Sequence, residues 1–111
     1  MDTNKVADRY FECIRSRDVE GLIALYADDA VVTLPNGKQV VGGAAIREFQ
    51  LNVFATGAPY PTPGPRVVGA NEIAVEIKAK IADGSTRSTA NFFYINEAGR
   101  IQRLSVYSQN S

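Results

Sequence analysis

The stretch LYADDAVVTLPNG, residues 25–37, marks where helical chemistry gives way to strand chemistry. Its first residues read as the end of a short helix capped by Asp18. Leu22, Ile23, Leu25 and Tyr26 form the apolar side of that helix, and Ala27-Asp28-Asp29 closes it. From Ala30 the pattern changes. Ala30-Val31-Val32-Thr33-Leu34 is β-branched and apolar, Pro35-Asn36-Gly37 is a turn signal, and Lys38 to Val41 returns as the hairpin partner.

Working outward toward the N-terminus, Asp2 or Thr3 can cap a first helix. Val6, Tyr10, Phe11 and Ile14 recur there at helical spacing, with Lys5, Asp8, Arg9, Glu12 and Arg15 on the solvated side. Downstream, Gly42-Gly43 breaks the hairpin and leads into a third helix, roughly Ala44 to Phe54, with Ile46, Phe49 and Val53 on one side. Residues 57–65 hold four of the five prolines and read as an irregular loop. Ile73, Val75, Ile77, Ala79 and Ile81 then alternate with polar neighbours, Asp83-Gly84 turns the chain, and Thr86 to Ile95 returns. Asn96 to Gly99 turns into a last strand from Arg100 to Tyr107. The order is helix, helix, hairpin, helix and a three-strand meander. It predicts an α+β fold with helices on one face of a curved, mostly antiparallel sheet around a hollow.

At 111 residues the chain is expected to form one domain, 1–111, large enough to bury a core without staples. Twelve Lys plus Arg balance twelve Asp plus Glu, and there is no basic run, so nucleic acid is not an expected partner. The polar start and the lack of a bilayer-length apolar stretch predict neither a signal peptide nor a membrane span, which leaves the cytoplasm. The sequence has no histidine, which excludes Ser–His and Cys–His nucleophiles and the usual zinc sets. Neither a metal nor a cofactor is expected. The single cysteine, Cys13, lies within the first helix and reads as small core filler. Acid–base work falls to Asp, Glu, Tyr, Lys or amides.

Several local words carry a resemblance. Arg9-Tyr10 sits in the first helix and Asp18-Val19-Glu20-Gly21-Leu22-Ile23 starts the second. Leu25 to Val32 leads into the first strand, Gly43 to Phe49 opens the third helix, and Ala98-Gly99-Arg100-Ile101-Gln102 precedes the last strand. In this order they resemble the nuclear transport factor 2-like superfamily, in particular its ketosteroid isomerase and SnoaL-like branch. The resemblance implies a cone-shaped barrel, a curved mostly antiparallel sheet wrapped around three helices, with one deep pocket and a tendency to pair sheet to sheet as a homodimer. It leaves the chemistry open, because the fold hosts isomerases, cyclases, hydrolases, dehydratases and silent binding modules.

In ketosteroid isomerases one carboxylate shuttles a proton while a tyrosine and a protonated aspartic acid hold the enolate oxygen. Tyr10 matches the oxyanion tyrosine, and a core aromatic beside Val6 and Ile14 is the other reading of it. Tyr26 matches a supporting tyrosine, or a packed aromatic at a helix end. Asn91 matches the second oxyanion donor, on one face with Thr89, Phe93 and Ile95, or satisfies a partner inside the barrel. Gln50 stands where some isomerases carry a third tyrosine. The position of the base is Leu34, which cannot accept a proton. Asp28, Asp29, Glu48 and Glu76 fall on structural or solvated positions and do not replace it.

Two functions follow as expectations. One is a small-molecule enzyme that polarises a carbonyl through Tyr10 and Asn91 without a side-chain base, including a SnoaL-like cyclase or lyase. The other is a non-catalytic module whose pocket, lined by Tyr26, Leu34, Phe49, Val53 and Phe93, holds a small apolar molecule. Apart from these two, a purely structural role through the sheet face is a further expectation.

Overall fold

Asp2 accepts a hydrogen bond from the Asn4 amide at 3.0 Å and starts α1, Thr3–Ser16, in the computed structural model, which describes residues 2–57, 60–81 and 83–109. Tyr10, Phe11 and Ile14 are buried along α1, as the spacing predicts, Ala7 and Cys13 join them in the core, and Val6 is partly buried against it. Arg17 then adopts the left-handed conformation (φ 59°, ψ 33°) that ends the helix. Asp18 caps α2, Val19–Ile23, by accepting from the Gly21 amide at 2.9 Å.

The remaining elements are β1 (Tyr26–Thr33), β2 (Gln39–Val41), α3 (Gly43–Ala55), β3 (Pro61–Val68), β4 (Glu72–Lys80), β5 (Thr86–Ile95) and β6 (Ile101–Ser108). They make one six-stranded sheet in the order β2-β1-β6-β5-β4-β3. All neighbours are antiparallel except β1 and β6, which run parallel. The fold class is the α+β architecture read from the sequence.

Two boundaries differ from the sequence reading. Tyr26 to Asp29 are strand rather than helix end, because β6 supplies a partner: Tyr26 pairs with Ile101, and Gln102 donates to the Asp29 carboxylate at 2.9 Å. Pro61, Pro63 and Pro65 lie in β3, not in a loop, and the rest of the expected loop includes residues 58 and 59, which lie outside the described residues. The reason is position. β3 is the sheet edge, where Pro61 and Pro63 stand on alternate residues against Ala79 and Ile77 and their missing N–H groups take nothing from the ladder.

Leu22, Ile46, Ile73, Val75, Phe93, Ile101 and Leu104 are fully buried between sheet and helices. Three contacts fasten α1 over the β3 edge. The Thr3 hydroxyl donates to the Gly69 carbonyl at 3.2 Å, and Arg66 reaches the Asn4 side-chain oxygen at 3.1 Å and the Asp8 carboxylate at 2.7 Å. No helix among the described residues is long and apolar enough to cross a membrane.

Candidate functional site

A cavity of about 340 Å³ opens between the helices and the inner face of the sheet. Each element contributes by its own periodicity. α1 supplies Tyr10 and Ile14, spaced i and i+4, and Arg17 joins them from the cap position that ends the helix. α3 supplies Ile46, Phe49, Gln50 and Val53, again one helical face. β5 supplies Arg87, Thr89 and Asn91, the inward row of a strand with period two. Tyr26 and Val32 enter from β1, and Leu34 and Pro35 from the turn that follows it.

Burial sorts this lining into a closed end and an open end. Tyr10, Tyr26, Gln50 and Asn91 are all at most 8% exposed. Pro35, Arg87 and Ser108 are solvent-exposed, and Arg17 is half-buried.

At the closed end the Tyr10 ring packs edge-on against Phe11 at 5.1 Å and Phe93 at 5.0 Å between centroids. Burial pushes its hydroxyl up to about 12, while hydrogen bonding from the Tyr26 and Asn91 side chains works in the opposite sense. Tyr26 is held well above the ordinary phenol range by burial first and by its Tyr10 neighbour second. Both phenols are therefore neutral at pH 7, and the Tyr10 hydroxyl has the Tyr26 and Asn91 side chains as hydrogen-bonding neighbours. A neutral phenol keeps a proton that it can donate to a ligand.

Of the residues singled out from the sequence, Tyr10, Tyr26, Leu34, Phe49, Val53 and Asn91 line this one cavity. Phe93 does not. It lies one step further along the inward row of β5, fully buried behind Tyr10, and it shapes the site through ring packing with Tyr10 and Phe11 rather than by touching a ligand. Leu34 follows β1 with its amide donating to the Lys38 carbonyl at 2.8 Å and its side chain on the cavity wall. Among the described residues, no Asp, Glu or His lines the cavity. Among the lining residues the sequence reading passed over are Arg17 and Arg87. Counting in twos from Asn91 reaches Arg87, and counting seven from Tyr10 reaches Arg17, so both were accessible to the periodicity.

Solved structures share the fold. An NTF2-like protein of unknown function from Mesorhizobium loti superposes with a TM-score of 0.84 at 18% identity over 97% of this chain and 91% of that one. A protein assigned as a ketosteroid isomerase from Kribbella flavida gives 0.82 at 20% identity, over 96% of this chain and 77% of that one. Rv0760c from Mycobacterium tuberculosis, solved in complex with estradiol-17β-hemisuccinate, gives 0.76 at 24% identity, over 95% of this chain and 91% of that one. The SnoaL-like domain family matches residues 7–104, and with that span covering both helical stripes and the inward row of β5, the chain belongs to the SnoaL-like family.

Proposed function

We propose that this protein holds an apolar carbonyl compound and polarises its oxygen through Tyr10 and Asn91, in the manner of a ketosteroid isomerase that has no side-chain base. The observation that carries this reading is Tyr10, a buried neutral phenol backed by Tyr26 and Asn91 on the wall of a mainly apolar cavity. A phenol donor held by ring packing on Phe11 and Phe93 and by hydrogen-bonding neighbours is preorganised, so it meets the ligand with little reorganisation. Asn91 carries two N–H donors, and serving Tyr10 with one leaves the second for the carbonyl oxygen.

Leu34 occupies the place of the base. A positioned general base contributes about 10²–10⁴ in rate, so substrates whose α-proton must be removed by a side chain are turned over poorly. Compounds acidic enough to lose the proton to water, or reacting by addition to a polarised carbonyl, fit better. A dedicated apolar binder is less well supported, because it needs neither Tyr10 nor Asn91 in its wall. The protein acts in the cytoplasm as a homodimer on a small apolar molecule, the dimer pairing through the outer sheet face where Phe92, Tyr94 and Tyr107 are exposed.

The test is isomerisation of a Δ5-3-ketosteroid by wild type and by Leu34→Asp, side by side. The expected result is a wild type near background and a gain of about a hundredfold or more in Leu34→Asp, lost again when Tyr10→Phe is added. Efficient turnover by the wild type would overturn the assignment of Leu34 as a missing base. Silence of both proteins, with no steroid bound, would overturn the carbonyl reading.

A further inference from the structure

The open end of the cavity carries positive charge that a purely apolar ligand has no use for. Arg17 and Arg87 both line it, on different elements, while no acidic residue among those described does. Arg17 caps the end of α1, seven residues and about 10 Å beyond Tyr10. Arg87 lies four residues from Asn91 on β5, about 13 Å along the strand. Two independent elements thus each run from a carbonyl-facing residue to an arginine over a similar distance.

The two arginines lie at the same end. The Arg17 guanidinium stacks over the Tyr60 ring at 4.2 Å and the Phe54 ring at 5.0 Å. Tyr60 precedes Pro61, which pairs with Ala79, which pairs in turn with Arg87. Arg87 takes part in none of the ion pairs among the described residues. Arg17 also occupies a left-handed backbone position that favours glycine, so this side chain is held where the backbone would accept none more readily. Stacking on two rings fixes the guanidinium plane, which is the arrangement suited to a carboxylate fork.

We propose that the ligand is an apolar keto acid, its carbonyl at Tyr10 and Asn91 and its carboxylate between Arg17 and Arg87 at the cavity mouth. This inference rests on the carbonyl reading above and names the chemical class of the ligand for that same site. The arginines select by charge at a distance from the reacting carbon, so they govern which compound enters and in which direction, leaving the chemistry to the closed end.

The experiment is calorimetric titration of the protein with 9-oxodecanoate, with its methyl ester and with 2-decanone, which place the same methyl ketone at one end and differ at the other. The keto acid should bind about tenfold tighter than either neutral compound at low salt, an advantage that shrinks as salt is raised. Arg87→Gln should remove much of the advantage and Arg17→Gln with Arg87→Gln all of it. Arg87 is a solvent-exposed side chain, so the single variant keeps the test valid should the double variant fold poorly. Equal affinity of all three compounds for the wild type, or an advantage that survives loss of Arg87, would overturn the keto acid while leaving the carbonyl reading intact. No binding of any of the three would overturn both.

Discussion

Tyr10 couples the site to stability. Its hydroxyl titrates near 12 in the folded protein against about 10 in the unfolded chain, so the folded state binds the proton more tightly. The associated stability is fully present below about pH 10 and is lost as pH rises through about 12, amounting to about 3 kcal/mol. Tyr26 shifts in the same direction and steepens the decline. Urea midpoints measured from pH 8 to 11 should therefore fall toward high pH, with a shallower fall in Tyr10→Phe. Arg17 makes a second, separable prediction. Both Arg17→Gly and Arg17→Ala lose the stacking on Phe54 and Tyr60, so the comparison between them isolates the backbone. The glycine variant should be the more stable by about 1 kcal/mol in thermal or chemical melts, because only glycine accepts φ 59° without steric penalty. The candidate site was largely legible in the sequence for this reason: Tyr10, Leu34, Phe49, Val53 and Asn91 sit on regular helical and strand periods or beside a proline turn. Phe93 shares the inward row with Asn91, and periodicity alone cannot tell that α1 covers it while leaving Asn91 open to the cavity.

Pro61, Pro63 and Pro65 show why one strand was not legible. Proline is a loop signal in isolation, and only the knowledge that β3 is an edge turns it into a compatible strand residue. The segment from Tyr26 to Asp29 posed the same difficulty: the adjacent Asp28 and Asp29 look like a helix end, and pairing with β6 from the far end of the sequence makes them strand. The regular pattern of β4 and the turns at Asp83-Gly84 and Asn96 to Gly99 needed no such distant partner and were read directly. The prolines also guard the edge, since an exposed strand with its N–H groups free recruits other chains. Replacing Pro61, Pro63 and Pro65 together by threonine restores three donors there. Light scattering should then show concentration-dependent association beyond any wild-type assembly.

The outer face of the sheet bears on assembly. Phe92 and Tyr107 pack edge to face at 5.5 Å and Arg103 lies over the Tyr94 ring at 5.4 Å, which leaves an aromatic surface with a cation beside it. Under the proposed homodimer, Tyr107→Arg places like charges across the pairing surface, and sedimentation should show a shift toward monomer with little change in melting temperature. The sheet order has another consequence. β6, the last strand, lies between β1 and β5, and it alone joins the β2-β1 ribbon to the β5-β4-β3 ribbon. During folding, the two ribbons have no sheet contact with each other until residues 101–108 pair between them. Closure then pairs strands from opposite ends of the sequence, a high contact order that slows folding toward the millisecond-to-second range. The folding chain thus passes through a stage in which the facing edges of β1 and β5 both wait unpaired, open to other chains until β6 inserts between them.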